Sequence, residues 1–567
     1  MHIETVPNRG RQPTILLRQS YRDGKKVRKH TLANLTCLHP EHIQALRCLL
    51  KGQKLVPASD AFTIERSWPH GHVKAILGAM RRIGLDTLIA SRPSRERNLA
   101  LAMIAERLLH GRSKLATTRL WHTTTLAQEL DVEDADEDDL YQAMDWLVKR
   151  QARIEKKLAA RHLEQGGQVL YDVTSSYYEG HTCGLAQYGH DRDGNKGLPI
   201  IVYGVLADAE GRPIAVEVYA GNTADPTTVP DQVHKLRERF GLDRVVLVGD
   251  RGMLTQVQID ALKAHPELGW ISALRSTSIR KLVRDQTLQM SLFDEQNLAE
   301  ITSPEFPGER LIACYNPLLA DERRRKRDEL LAATEQKLES IARQVKRRTN
   351  TPMPREEIGI KVGKAANQYK VAKHFKLTID DGAFEWKRDE DAIEQERQLD
   401  GMYVIRTSEP ARRLSAADTV RSYKNLSQVE RGFRCLKGID IRVRPIHHRE
   451  ALRVRAHIFI CLLAYYVEWH MRQALGPLLF DDEELAQHRA GRDPVAPAET
   501  SLSARRKKST RRTSDGFAVH SLDTLLEDLG TLCRHRCRIP GDASGVRLDQ
   551  ETQATPQQAR VLELLGL

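Results

Sequence analysis

The hydrophobic positions along this chain change period several times, and each change marks a different kind of element. Residues 13–35, PTILLRQSYRDGKKVRKHTLANL, alternate apolar and polar around Asp23-Gly24, a dipeptide that specifies a tight hairpin turn. A small basic β unit is expected over residues 1–60. From 61 to 165 the apolar positions recur at helical spacing in three runs, Val73–Ile83, Leu99–Leu109 and Leu140–Leu158, divided by Gly, Ser and Pro. The acidic run before Leu140 suits a first helical turn, where carboxylates meet the positive end of the dipole. The stretch SKLATTRLWHTTTLAQEL has loose helix-turn-helix spacing and is better explained by ordinary helix packing.

At residue 168 the period becomes that of a strand. In QVLYDVTSS, Val169, Tyr171 and Val173 share one face and Leu170, Asp172 and Thr174 the other, which sets a carboxylate beside an apolar neighbour near the strand's end. That is an unfavourable place for a lone charge. LPIIVYGVLADAEGRPIAVEVYAG predicts two strands about the turn Ala209-Glu210-Gly211-Arg212, followed by a helix over Pro226–Phe240. RVVLVGDRG predicts a strand buried on both faces, with Asp250 at its carboxyl end. Read as one helix, residues 421–438 (RSYKNLSQVERGFRCLKG) put Tyr423, Leu426, Glu430 and Lys437 on a single stripe. The longest apolar run, HIFICLLAYYVEWHM from His457, contains His and Glu, is too short to span a bilayer, and reads as a buried helix.

Three antiparallel strands, a helix and a central strand, with acids on the first and fourth strands, is the build order of a ribonuclease H-like sheet. Strands one and four are neighbours there, so Asp172 and Asp250 are expected to converge, with the Glu430 helix laid over the sheet edge. The long interval between Asp250 and Glu430 requires an inserted domain, residues 279–398. Its middle carries a short heptad seam of Leu331, Thr334, Leu338, Ile341 and Val345 with basic residues on the other faces, which suits either a DNA-facing helix pair or a solvated hairpin. The expected fold class is α/β: a ribonuclease H-like mixed sheet flanked by helices (166–278 and 399–478), interrupted by that insertion, behind a mainly helical domain (61–165) that binds DNA ends. The Arg-, Ser- and Pro-rich composition of 479–520, with SARRKKSTRR, predicts a flexible basic linker, and 521–567 a short C-terminal tail.

Composition narrows the chemistry. Against 76 acidic residues stand 88 Lys and Arg, a net charge of +12, which suits a polyanionic partner such as nucleic acid. The eight cysteines form no CxxC pair, which points to a reducing compartment, and Cys533, Cys537 and His535 lack a further ligand pair for zinc. No signal-peptide pattern opens the sequence. HDRDGNKG (190–197) begins like a calcium loop, but Val202 stands where a bidentate Glu is needed, so a polar turn is expected. His447 and His448 beside Arg449 read as solvated. Three convergent carboxylates, by contrast, repel one another unless cations neutralise them. Hard oxygen donors select Mg²⁺ or Mn²⁺, usually as a pair of ions serving the attacking and leaving oxygens of a phosphodiester.

At these residues the chain resembles the DDE transposases of bacterial insertion sequences, in the group whose last acid lies in a Tyr-x2-Arg-x3-Glu-x6-Lys helix. Tyr423, Glu430 and Lys437 keep that spacing, whereas Leu426 occupies the Arg position. YRDGKKVRKHTLANL, YDVTSSYYEG, the stretch from Tyr188 to GNTAD, VGDRGM and LDGMYVIRTS extend the resemblance over residues 13–475. It implies cleavage at element ends and transfer of a 3′ hydroxyl into target DNA, with Asp172, Asp250 and Glu430 holding two Mg²⁺ or Mn²⁺ ions. It also implies that Tyr423 and Lys437 grip the DNA backbone, with Lys424 or Arg434 in place of the missing Arg. Asn222 and Asp225 would support the site or cap the next helix, and Trp386 would either stack on an unpaired base or pack in a core. The implied partner is double-stranded DNA bound by a homodimer, in the bacterial cytoplasm on the nucleoid, with no membrane and no small-molecule cofactor. Alternatives are a metal nuclease of the same fold that does not join strands, and a non-catalytic DNA-binding descendant, suggested by Leu426.

Overall fold

The computed structural model describes all residues except 10, 54–61, 196, 266, 294–295 and 540–545. The chain divides into two compact units, one of residues 1–68 and 533–553, the other of 69–532 and 554–567. In the first, β1 (His2–Asn8), β2 (Arg11–Asp23) and β3 (Lys26–Asn34) form an antiparallel sheet, its β2–β3 turn at Asp23-Gly24 with Gly24 at φ 61°. The helix Pro40–Leu50 follows. A second sheet joins β4 (Thr63–Pro69), at the edge of this unit, to two strands from the far end of the chain, β15 (Cys533–Arg538) and β16 (Arg547–Glu551). The ring nitrogens of His535 meet the hydroxyls of Ser67 at 2.8 Å and Thr552 at 3.0 Å.

The second unit is built on one eight-stranded mixed sheet. Its strands are β5 (Gln168–Tyr177), β6 (Ile200–Asp208), β7 (Pro213–Ala220), β8 (Val245–Gly249), β9 (Leu268–Ala273), β10 (Leu298–Ile301), β11 (Arg310–Tyr315) and β14 (Met402–Thr407). They lie in the order β10-β11-β14-β9-β8-β5-β6-β7. β5, β6 and β7 are antiparallel, β8 is parallel to both β5 and β9, and β14, β11 and β10 continue antiparallel from β9. All five residues of β8 are buried, as its unbroken apolar run requires.

The expected insertion is therefore smaller than residues 279–398. β10 and β11 extend the main sheet, because Arg310–Tyr315 finds a full ladder with β14. What stands apart begins with the helix Pro317–Arg347 and includes the helix Arg355–Gln368, the hairpin of β12 (Phe375–Asp380) and β13 (Ala383–Arg388), and the helix Glu390–Arg397. Leu331, Leu338, Ile341 and Val345 of the seam pack there with Ile358, Val362, Phe375 and Phe384 in a separate core. Trp386 is half-buried in β13, edge-on to Phe375 at 5.9 Å.

The helices of 71–162 share one continuous core with the sheet. The link is the helix Ala451–Leu475, buried on most of its surface, which explains its lack of a polar stripe. Among the described residues no helix is long and apolar enough to cross a membrane. Asp136 caps the helix Glu137–Val148 in a reciprocal capping box with Asp139, and the acidic run fills its first turn. Residues 479–520 are not the featureless linker that composition suggests. Ser501 caps the helix Leu502–Thr510, and the Lys507 amine donates to Glu483 at 2.6 Å and to the Gly476 carbonyl at 3.1 Å. Specific polar pairing supplies there what apolar content lacks. The helices Leu522–Gly530 and Pro556–Leu565 add Leu525, Leu529, Val561 and Leu565 to the main core.

Candidate active site

Asp172 lies midway along β5, half-buried, its Oδ1 accepting a 2.8 Å hydrogen bond from the Val173 amide. The parallel ladder pairs Leu170 with Val248 and Tyr171 with Gly249, so the next step of the register sets Asp172 level with Asp250, the first residue past β8. Asp250 is exposed where the strand ends, and the Tyr423 hydroxyl donates to its Oδ1 at 3.4 Å. Burial pushes the Asp172 carboxyl up to about 7, and the charges of Asp250 and Glu430 push the same way, against the Val173 amide and Arg192. Burial and the Asp250 charge likewise raise Tyr423, which keeps its phenol a proton donor. Asp172 is thus subject to the charges of both other acids, although the three come from distant segments.

The helix that presents Glu430 differs from expectation. It is split at Asn425 into Ala416–Lys424 and Leu426–Lys437, so Tyr423 ends one helix and Glu430 rides on the next. Leu426, Val429, Phe433 and Leu436 turn into the core, which accounts for an apolar residue at 426, while Glu430 stays exposed at the border of that face. Two contacts fix this helix. Gly211, at φ 82° in the β6–β7 turn, lies so near Gln428 that an added Cβ would stand 2.4 Å from the Gln428 Cβ. On the core side the Cys435 thiol donates to buried Glu468 at 2.6 Å, and Glu468 also accepts from Arg472 at 2.6 Å. Cys435, Asp440 and Glu468 offer ligand atoms within 4.8 Å of one another, but Arg472 already lies against both carboxylates, so the set is an ion-pair network.

The nearby cations are engaged elsewhere. Lys437 pairs with Asp193 at 2.9 Å, and Arg444 joins them at 2.5 Å. Asp193 belongs to the loop that begins like a calcium site, and its own amide donates to Asp191 in a polar turn. Arg192 pairs with Asp225, which makes Asp225 a salt-bridge partner bordering the site rather than a helix cap. Asn222 is exposed. Lys424 donates to the carbonyls of Val495 at 3.0 Å and Ala496 at 3.2 Å, so its amine is occupied, whereas Arg434 is exposed. His447 is exposed and bonds the Glu179 carbonyl, while His448 packs between Tyr141 and His457. A cavity of about 370 Å³ opens beside Asp250, bordered by Arg251, Ser276, Tyr403 and Tyr423 and by Arg323 from the long helix of the separate lobe. Sequence reasoning missed this cavity and Asp193, because both depend on contacts between distant segments.

The donor set fits divalent metal. The carboxylates are hard oxygen ligands, the charges of Asp250 and Glu430 raise Asp172, and among the described residues no Lys, Arg or His forms an ion pair with them. Their oxygens do not all lie within 4.8 Å of one another.

Comparison with known proteins accords with this geometry. A family profile described as "Transposase DDE domain" matches residues 166–467, and one described as "IS1634 family transposase, N-terminal domain" matches residues 3–59. With more than half of its length matched, the chain belongs to the DDE-domain transposases, enzymes that cleave DNA and transfer its strands with divalent metal. The N-terminal match places it with the transposases of bacterial insertion sequences. A search of curated proteins found no match. Among solved structures, a cryo-EM structure of a piggyBac transposase synaptic complex with hairpin DNA aligns at 9% identity over 78% of this chain and 90% of that one, TM-score 0.25. A Mos1 transposase paired-end complex with the left transposon end aligns at 14% identity over 50% and 80%, TM-score 0.14. At these scores neither fold can be equated with this one.

Proposed function

We propose that Asp172, Asp250 and Glu430 are the catalytic carboxylates of this transposase and that β5 to β9 form a ribonuclease H-like core. The observation that carries this reading is the β5–β8 register, which sets Asp172 level with Asp250, and the Asp250 and Glu430 charges acting on Asp172 support it. The strand order β7-β6-β5-β8-β9, three antiparallel strands and then two parallel ones, supports the core assignment. When bound, two Mg²⁺ or Mn²⁺ ions would supply Lewis-acid polarisation of a phosphodiester at this site. Asp172 and Asp250, level with one another where β8 ends in the middle of the sheet, and Glu430 define where the scissile phosphate sits. Tyr423 orients the Asp250 carboxylate through its hydrogen bond. Exposed Arg434 is placed to contact the DNA backbone, and Lys437 contributes once released from Asp193. The chemistry in this reading is hydrolysis at the element's end followed by attack of the freed 3′ hydroxyl on target DNA, carried out by a homodimer holding both ends.

The test replaces each acid with Ala in turn and assays cleavage of duplex from the DNA flanking the gene. Cleavage should fall to background for all three while binding of the same duplex persists. Undiminished cutting by any one variant removes that residue from the assignment. Cleavage without joining of pre-cut ends to a target plasmid would instead establish the nuclease reading.

A further inference from the structure

We propose that the β2–β3 hairpin is a two-stranded arm that enters the major groove of duplex DNA. β1 covers β2 only as far as the His2–Arg18 pair, whereas β2 and β3 stay paired from Arg18 opposite Thr31 out to Asp23 opposite Lys26. Beyond Arg18 the hairpin is therefore two strands alone, extending roughly 15 Å at about 3.3 Å per residue. Every residue from Gln19 to His30 is exposed, including Tyr21 at 49% and Val27 at 63%. An isolated two-stranded ribbon in water is marginal in stability, so a partner along its length is the natural source of order.

Charge identifies the partner. Residues 19–30 hold Arg22, Lys25, Lys26, Arg28 and Lys29 against the single acid Asp23. Asp23 engages Arg28 at 2.9 Å, and Lys29 reaches Glu4 at 2.9 Å, which leaves Arg22, Lys25 and Lys26 at the tip without an ion pair among the described residues. Arg22 and Lys26 occupy opposite faces of the ribbon, since the cross-strand pairs Arg22–Val27 and Asp23–Lys26 are adjacent and alternate. Cations on both faces suit an element flanked by phosphate on either side, as a ribbon in a groove is. The major groove admits a two-stranded β-ribbon. Lys and Arg along the free edge of β3 also disfavour the other use of such an edge, strand addition from a second copy.

The experiment uses the full chain without divalent cation, so that no cleavage occurs and the result is independent of the acid assignment. Affinity for a fluorescent duplex of arbitrary sequence is measured by anisotropy across a salt series, for the wild type and for the combined Arg22→Gln, Lys25→Gln, Lys26→Gln variant. All three positions are exposed, so folding is not at stake, and an unchanged melting profile confirms it. Loss of three phosphate contacts should make the plot of log affinity against log salt shallower by up to about 2.7, and weaken binding about tenfold or more near 0.1 M salt. A duplex whose cytosines carry glucosylated hydroxymethyl groups, which fill the major groove, should bind the wild type more weakly than plain duplex, with little further loss for the variant. Unchanged slope and affinity would overturn the proposal. So would equal wild-type binding to both duplexes, or an effect of the variant on self-association with DNA binding unaltered.

Discussion

Asp172 and Asp250 stand level with one another on adjoining parallel strands, because the β5–β8 ladder runs through Tyr171 and Gly249 immediately before them. The meeting is a product of register: the last ladder pair fixes the first unpaired one. Local chain properties produce it, an apolar run that buries β8 on both faces and an alternating strand that carries Asp172 midway along its length. The side chains around the pair determine what each acid can do.

Tyr423→Phe removes the side-chain donor that reaches Asp250, leaving only the Gly252 amide at 3.3 Å among the described residues. A hydrogen bond to a charged group contributes about 1.5–3 kcal/mol, less where solvent competes, as at this open site. The cleavage rate should fall by about tenfold with the melting temperature nearly unchanged. Wild-type kinetics in single-turnover assays of the Phe variant would remove Tyr423 from the site.

Gly211→Ala acts on Glu430 from a distance. Position 211 needs a positive φ, which is unfavourable for Ala by about 1 kcal/mol, and the new methyl meets the Gln428 Cβ on the Glu430 helix. Stability should drop by about 1–3 kcal/mol in urea titration, and cleavage should drop beyond what the lost folded fraction explains. Activity per folded molecule equal to wild type would show that the helix tolerates displacement.

Glu468→Ala leaves the half-buried Arg472 and the buried Cys435 thiol without their shared acceptor. Removing one partner of a buried charge pair typically destabilises by about 3–5 kcal/mol. The denaturation midpoint should shift accordingly, whereas Glu468→Gln, which keeps an acceptor oxygen for one of the two donors, should retain more of the stability. Equal behaviour of the two variants would mean that the network does not anchor the helix.

Acid should loosen the second unit. Burial lowers His72 to about 4, and burial with neighbouring cations lowers His162 to about 3 and His470 to about 4. A base whose folded pKa lies below its unfolded value of about 6.5 takes up its proton first in the unfolded chain, so stability is full above pH 6.5 and declines as pH falls toward 4. His72, the most enclosed of the three, contributes on the order of 2 kcal/mol to that decline, and the partly exposed pair less each. Urea midpoints at pH 7 and pH 5 measure it; a flat profile that His72→Gln leaves unaltered would contradict the assignment.

Much of the catalytic sheet was legible because strands announce themselves locally. Alternation in QVLYDVTSS, the apolar run in VVLVG and the Asp23-Gly24 turn each gave the observed element. The break at Asn425 was not legible, since residues 421–438 contain no Pro and their sole Gly residues lie after the junction. β10 and β11 were assigned to the insertion because short strands reveal nothing about a partner as distant as β14. Composition failed at 479–520 for a different reason: it counts apolar surface, and that segment is held by Ser501 capping and the Lys507–Glu483 pair. The engagement of Lys437 with Asp193 is likewise a long-range fact that no spacing along the helix discloses.

The most direct measurement is a metal-preference switch. Asp172, Asp250 and Glu430 are each replaced with Cys, and cleavage of element-end duplex is followed with Mg²⁺ and with Mn²⁺. Thiolate is a poor ligand for Mg²⁺ and a tolerable one for Mn²⁺. If the three side chains ligate a divalent ion, each Cys variant loses its Mg²⁺-supported cleavage and recovers a measurable part of it with Mn²⁺. Full activity of any of them with Mg²⁺ would contradict the site.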